Sequence, residues 1–202
     1  MQHKTVIIHA FEPEDFFIGK LAETYKDAIA EAGATVEILS VNTMQFDHVI
    51  NPKDYDYSKL GQDLQQSVDA IKTANSLAIF VNYRPDANIA FAQFLSRIFH
   101  LKAGVVNNDI WGKERVHDRK VRIVSVIDDE AIWEAFKLKK DPSILPTSKV
   151  NFRLFGFGFL AAANFGFLRD NELNDYGFKQ LEKVKKYAVD DLVDPIDDLL
   201  NS

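Results

Sequence analysis

Two polar stretches carry the residue types best suited to chemistry, and each directly follows an apolar run that is typical of a strand. The first, "NYRPD" (82–86), offers Tyr83 for stacking on a flat ring and Arg84 for binding an anion. The second, "DDE" (128–130), offers three carboxylates that could hold a cation or act as a general base. These residue types could therefore stack on a flat ring, bind an anion or a cation, or act in general acid–base catalysis.

Each stretch also has a purely structural interpretation. Carboxylates are favoured in the first turn of a helix, where they interact with the helix dipole and cap free N–H groups, and we favour this interpretation for residues 128–130. Arg84 is either an anion ligand or a solvated loop residue before Pro85, and both interpretations stand. Tyr83 is either a stacking residue or packs against a neighbouring loop.

Several classes of site are excluded or disfavoured by composition. The 202-residue chain has no cysteine, which excludes disulfides and thiolate sites, and its five histidines lack the spacing of a metal site. His9, at the end of an apolar run, is interpreted as a core histidine. Glycine-rich nucleotide motifs and a Ser-His-Asp pattern are missing. The formal net charge of −6 argues against a nucleic-acid partner.

The pattern of apolar residues positions these stretches on an α/β fold. Buried strands are predicted at 4–10, 35–41, 76–81, 120–127 and 159–168. A helix is predicted over the apolar stripe from Phe17 to Ala32, which Gly33 ends, and further helices are predicted at about 58–73, 89–101, 129–138 and 175–189. Such alternation predicts one flavodoxin-like domain, 1–202, with a doubly wound five-stranded parallel sheet and helices on both faces. The polar residues 82–88 are expected to form a loop.

Two further segments have open interpretations. The aromatic-rich run 151–168 is either a stacking surface for a ligand or a part of the core and of a dimer interface. The acidic amphipathic tail, 190–202, either binds a partner or docks on its own domain or dimer mate. No uncharged apolar run is long enough to span a membrane, and the first residues lack the features of a signal peptide, so we expect a cytoplasmic protein.

Four stretches together resemble the flavodoxin-like NAD(P)H:quinone oxidoreductase family. They are "TVIIHAFEPEDFFIGKLAE" near the start, "SVNTMQFDHV" (40–49), "LAIFVNYRPDANIAFAQFLSRIF" (77–99) and "RKVRIVSVIDDE" (119–130). The residues that match the family's pattern most closely are Met44, Phe46, Asp47, Val49, Arg97 and Phe99. The resemblance implies ping-pong hydride transfer from NAD(P)H through FMN or FAD to a quinone or similar acceptor, by a homodimer.

The same resemblance implies which residues would line the flavin site, although it assigns no catalytic residue and no metal. Three loops contribute, and their residues are Phe11, Phe16, Phe17, Ile18, Asn82, Tyr83, Arg84, Pro85, Asp128, Asp129 and Glu130. These loops are bulkier and more acidic than the family's pattern, and Glu12, Glu14 and Asp15 would stand near the flavin phosphate. The alternative is therefore a flavin-free binding, regulatory or subunit protein with a repurposed pocket.

Overall fold

The structure, a computed structural model, describes most of the first half of the chain and parts of the second. The described residues are 2–12, 15–46, 56–83, 89–100, 105–108, 114–116, 119–127, 158–163, 168–169, 172–173 and 175–192. Within them, the strands are β1 (Lys4–His9), β2 (Thr35–Ser40), β3 (Ser76–Tyr83), β4 (Val106–Asn108), β5 (Glu114–Val116), β6 (Lys120–Ile127), β7 (Gly158–Ala163), β8 (Leu168–Arg169) and β9 (Glu172–Leu173). The helices are α1 (Phe16–Glu31), α2 (Gln62–Thr73), α3 (Ile89–Ile98) and α4 (Asp175–Asp190).

The main sheet has the strand order β2-β1-β3-β6-β7, and each neighbouring pair is parallel. Counted along the chain, these strands follow the order 2-1-3-4-5 of flavodoxin-like folds. The predicted α/β fold with a parallel sheet is therefore confirmed. Two short antiparallel pairs, β4–β5 and β8–β9, lie outside this sheet and were not predicted.

Apolar residues on the two faces of the sheet form two separate core clusters. Val6 and Ile8 of β1 belong to the cluster that α2 and α3 cover, whereas Ile7 belongs to the cluster that α1 and α4 cover. This alternation follows from the two-residue period of a strand, and it requires nearly continuous apolar runs because both faces are buried. The sequence prediction of helices on both faces agrees with this arrangement.

Helix α1 ends as its sequence predicts. Gly33 has a φ of +82°, in the left-handed region that glycine adopts without strain. Its N–H donates to the carbonyl of Ala30, and the N–H of Ala34 donates to the carbonyl of Ile29. Of the predicted apolar stripe, Tyr25 and Ile29 are fully buried, while Ala32 is exposed because it follows the last helical residue.

The prediction of a loop from Asn82 onward is wrong for its first two residues. Strand β3 continues through Asn82 and Tyr83, which pair with Val126 and Ile127 of β6. A polar asparagine after an apolar run suggested a loop, but the ladder with β6 runs on to the end of that strand. The extension places Asn82 within the sheet rather than beyond it.

Other predicted boundaries shift or lie outside the described residues. Helix α2 begins at Gln62 rather than near residue 58, because a short 3₁₀ turn, Tyr57–Lys59, precedes it. The predicted strand 159–168 is confirmed only for residues that belong to β7. The predicted helix at 129–138 and most of the acidic tail lie outside the described residues. Among those described, no helix combines the length and hydropathy needed to cross a membrane.

A buried ionic cluster fixes the end of α4 to the sheet. Arg122 of β6 donates from Nε and Nη2 to the two carboxylate oxygens of Asp191, at 2.9 and 2.6 Å. The Tyr25 hydroxyl of α1 donates to the same carboxylate at 2.9 Å. Burial, and then the Asp191 carboxylate, raise the pKa of Tyr25 well above its ordinary value. The cluster therefore joins α1, β6 and α4.

Candidate functional site

The carboxyl ends of β1 and β3 form the candidate site. After β1 the chain turns through α1 to β2 on one side, and β3 lies on the other side of β1, so the strand order reverses at this point. In doubly wound sheets such a switch point leaves a crevice in which ligands bind. The described residues at this edge whose side-chain contacts the structure shows include His9, Phe11, Glu12, Asp15 and Asn82.

Asp15 connects the loop after β1 with the end of β3. Its Oδ2 accepts a hydrogen bond from the Glu12 backbone N–H at 2.9 Å, and its Oδ1 accepts one from Asn82 Nδ2 at 2.9 Å. The Asp15 N–H donates in return to the Glu12 carbonyl at 2.9 Å. Asp15 occupies the N-cap position of α1, but its side chain does not cap the helix. The carboxylate is instead directed to the loop and the sheet.

The side chain of Glu12 makes a second connection. Asn42, in the 3₁₀ turn Val41–Thr43 that follows β2, donates from Nδ2 to Glu12 Oε1 at 2.9 Å. Glu12 is exposed, whereas Asn82 is 4% exposed and Asp15 is half-buried. The loop is thus held to the ends of β2 and β3 by two carboxylates, and it carries negative charge toward solvent.

His9 is the last residue of β1, and its ring contacts an aromatic side chain of the loop that follows. Its ring stacks on Phe11 with the centroids 4.2 Å apart and the planes 23° from parallel. Its Nε2 lies 2.6 Å from Ser40 Oγ, and its buried Nδ1 has no hydrogen-bond partner among the described residues. Burial lowers the pKa of His9. A neutral ring suits this position, because protonation would bury an N–H at Nδ1 without an acceptor.

The other predicted residues of the first loop belong to α1. Phe17 and Ile18 are each 1% exposed and pack in the core cluster between the sheet and the two helices α1 and α4. Phe16 is the first residue of the helix and is partly exposed, with Lys20 Nζ 6.0 Å from its ring centroid. The buried side chains of Phe17 and Ile18 are therefore directed away from any ligand at the strand ends.

The structure brings Phe11 and Asn82 to the same edge of the sheet, with Asp15 joining the first loop to Asn82. Tyr83 is the last residue of β3, opposite Ile127 at the end of β6. Arg84, Pro85, Asp128, Asp129 and Glu130 lie outside the described residues. In the described part of the chain, no group of three or more potential metal ligands comes together.

Several of the residues that carry the sequence resemblance pack against or within the core. Phe46 and Met44 pack against the core cluster under α2 and α3. The guanidinium carbon of Arg97, which is 4% exposed, lies 5.5 Å from the Phe46 ring centroid. Phe99 is fully buried. These matching residues therefore contribute to the packing of the core, and none of them is assigned to catalysis.

The described part of the first loop does not fit a flavin phosphate. A phosphate at such a loop needs N–H donors and a favourable potential. Here the Glu12 N–H and the Asn82 amide already donate to the Asp15 carboxylate, and the Glu12 side chain adds a second negative charge nearby. A phosphate dianion in this place would lose those donors and meet like charges.

Two features of this site were not predicted from the sequence. The sequence predicts for Asp15 only a negative charge near a phosphate, whereas its hydrogen bond to Asn82 joins residues 67 positions apart. The contacts of His9 with Phe11 and Ser40 were also missed. The one available signal for His9 was its position at the end of an apolar strand, where a polar residue is unusual.

No family model and no curated protein sequence matches the chain. Solved structures do match it in fold. The NAD(P)H:quinone oxidoreductase from Methanothermobacter marburgensis superposes with a TM-score of 0.63 at 14% identity, over 93% of this chain and 96% of that one. The FMN-dependent NADH-azoreductase from Bacillus anthracis, in complex with FMN, gives 0.62 at 12% identity, over 95% and 100%.

A third structure extends the likeness beyond these two kinds of reductase. The diflavin flavoprotein A3 from Nostoc sp. superposes with a TM-score of 0.53 at 14% identity, over 100% of this chain and 98% of that one. At such low identities the likeness establishes the flavodoxin-like fold alone. The fold is therefore secure, and the activity has to be argued from the site.

Proposed function

We propose that this chain is an oxidoreductase of the quinone reductase and azoreductase type, using a flavin and NAD(P)H to reduce a quinone or similar acceptor. The observation that carries the proposal is the switch point at the ends of β1 and β3, within a fold that matches such reductases over nearly the whole chain. Flat ligands bind at this edge in doubly wound sheets. As part of the same proposal, the protein works as a cytoplasmic homodimer.

The flavin ring in this proposal lies beyond the ends of β3 and β6. Tyr83 ends β3 opposite Ile127, and in the sequence Arg84 and Pro85 follow β3 directly, as residues 128–130 follow β6. Tyr83 is the residue we assign to stacking on the ring. The flavin supplies the hydride chemistry when bound, and the chain supplies position and electrostatics.

A direct test combines binding with turnover. Purified protein is titrated with FMN and with FAD, and NADH or NADPH oxidation is then followed with a soluble quinone at saturating flavin. The proposal predicts flavin binding and flavin-dependent consumption of the reduced nicotinamide. Tyr83→Ala should weaken flavin binding, whereas Tyr57→Ala, which removes the same side chain from the turn before α2, should leave it unchanged.

A second candidate function is favoured by one specific observation. The Asp15 carboxylate accepts from the Glu12 N–H of the first loop and from the Asn82 side-chain amide of β3, as expected of a flavodoxin-like scaffold that binds no flavin and serves as a binding, regulatory or subunit protein. This candidate predicts that neither FMN nor FAD binds and that no nicotinamide is consumed. Flavin-dependent turnover would exclude it, and a complete lack of flavin binding would exclude the oxidoreductase.

A further inference from the structure

We infer that Asp15 is a specificity-determining residue that makes the first loop reject phosphate, so that the site favours a flat ring ligand without a phosphate group over a phosphorylated one. The preference for a flat ring ligand rests on the proposed function, whereas the rejection of phosphate rests on the contacts of the first loop alone. Its starting point is that both carboxylate oxygens of Asp15 already accept from donors at the strand ends, a backbone N–H and a side-chain amide, which are donors of the kind that a phosphate uses.

The donors in question come from two segments of the chain. Glu12 N–H belongs to the loop after β1, and Asn82 Nδ2 comes from β3, so together they line the gap between the two strand ends. A phosphate oxygen accepts from the same kind of group as a carboxylate oxygen does. Asp15 therefore acts as the loop's own anion, supplied by the chain.

The geometry also holds this anion in place. The Asp15 N–H donates to the Glu12 carbonyl, and the Glu12 N–H donates back to Asp15 Oδ2. Two hydrogen bonds of opposite direction therefore close the same turn. Asn42 then ties the Glu12 side chain to the end of β2. Displacing the carboxylate would break bonds to both the loop and the sheet, so a phosphate competes with an intramolecular ligand at high effective concentration.

Electrostatic repulsion disfavours a phosphate at this loop, in addition to the competition for its donors. An incoming phosphate would approach Asp15 and the exposed Glu12 carboxylate, in a chain whose formal net charge is −6. Like charges at short range in a partly desolvated site repel strongly. A ring ligand without phosphate meets neither obstacle, because it needs no anion-binding donors from this loop.

The experiment compares two flavins that differ only in the phosphate. Riboflavin and FMN are titrated by fluorescence into the wild-type protein, Asp15→Ser and Glu12→Gln, and inorganic phosphate is titrated with the backbone amide resonances as the readout. Serine is short, neutral and a good N-cap residue, so α1 keeps its start. Glu12→Gln is the matched control: it removes one charge from the loop but leaves Asp15 on the Glu12 N–H.

The wild-type protein is expected to bind FMN no more than about threefold more tightly than riboflavin, and Asp15→Ser to tighten FMN binding about tenfold or more without a matching change for riboflavin. Glu12→Gln should give a clearly smaller gain. Asp15→Asn provides a second neutral variant in case serine disrupts the loop. A wild-type preference for FMN of about tenfold, or equal gains from Glu12→Gln and Asp15→Ser, would overturn the inference.

The phosphate titration separates this inference from the proposed function. If no variant binds either flavin, the oxidoreductase proposal fails, and the inference is decided by inorganic phosphate alone. Asp15→Ser should then shift the Glu12 amide on phosphate addition at concentrations that leave the wild type unchanged. An Asp15→Ser protein that is folded and as insensitive to phosphate as the wild type would overturn it.

Discussion

Asp15 and Asp191 are two carboxylates that join separate elements, yet they lie at opposite ends of the sheet and in different surroundings. Asp191 is 2% exposed and accepts from Arg122 and Tyr25, near the amino ends of the strands. Asp15 is half-buried and accepts from an N–H and an amide at the carboxyl edge. The Asp191 cluster joins α1, β6 and α4 within the core, whereas we infer that Asp15 takes donors that a ligand at the switch point would use.

The difference is also one of how the charge is balanced. The bonds and charge of Asp191 raise the pKa of Arg122, even though burial alone would lower it, and the Tyr187 ring lies 4.2 Å from the guanidinium carbon. The Asp15 carboxylate accepts hydrogen bonds from two neutral donors, the Glu12 N–H and Asn82 Nδ2. A second carboxylate, that of Glu12, lies in the same loop. The first cluster contains a buried ion pair, whereas these two donors to Asp15 are neutral dipoles.

The largest expected effect comes from breaking the buried pair. Asp191→Asn leaves the buried Arg122 without its counter-charge and should lower the free energy of unfolding by about 3–5 kcal/mol. Urea denaturation measures this. Asp190→Asn is the control, because Asp190 contributes only its backbone carbonyl, which accepts from Lys120 Nζ, and its side chain is exposed.

A double variant sharpens the interpretation of that loss. Arg122→Met combined with Asp191→Asn removes both charges and should recover part of the stability that Asp191→Asn alone loses. Strictly additive losses in the double variant would show that the two residues act independently, contrary to the ion pair described here.

A smaller loss is expected when only the tyrosine is changed. Tyr25→Phe removes the hydroxyl that donates to Asp191 but keeps the ring in contact with Phe80, at a centroid separation of 5.6 Å. The carboxylate still has Arg122, so the cost should be about 1–2 kcal/mol in the same denaturation experiment. A loss as large as that of Asp191→Asn would mean that the hydroxyl is as important as the charge pair.

Substitution at the exposed edge should cost less than either buried change. Asp15→Ser removes two hydrogen bonds from a half-buried position and should lower the free energy of unfolding by about 1 kcal/mol. Differential scanning calorimetry of the variant against the wild type checks this. A loss comparable to that of Asp191→Asn would show that Asp15 is mainly a structural residue and would remove the contrast between the two carboxylates.

The smallest effect concerns His9 and appears only on acidification. Because burial lowers the pKa of His9 in the folded protein below the ordinary value of 6.5, the unfolded chain binds the proton more readily. The stability due to the neutral ring is therefore present above pH 6.5 and is lost as the pH falls below it. Wild type should lose more stability than His9→Gln between about pH 7 and pH 5; parallel pH profiles would contradict the shift.

Much of the sheet was predictable because its strands are buried on both faces. The apolar runs at β1 and β6 leave little choice of structure, and the prediction for 120–127 coincides with β6. The end of β3 was predicted wrongly because Asn82 is polar. Its side-chain Nδ2 donates to Asp15 within the fold, and nothing in the local sequence indicates that this partner is near.

The two carboxylate clusters illustrate the limit of local sequence patterns. Tyr25 and Asp191 are 166 positions apart, and Asp15 and Asn82 are 67 apart, so both contacts depend on how the elements pack. Local patterns indicate that Tyr25 faces the core, but not that it meets a carboxylate there. Likewise, the acidic residues of the first loop indicate weak phosphate binding, but the local sequence does not indicate which donors Asp15 takes.

The most direct test of the central claim is a crystal structure of the wild-type protein grown with saturating FMN. The account predicts that the Asp15 carboxylate stays within hydrogen-bond distance of Glu12 N–H and Asn82 Nδ2, and that any bound flavin has its phosphate away from both donors. A phosphate oxygen on the Glu12 N–H, with the Asp15 side chain displaced, would contradict it.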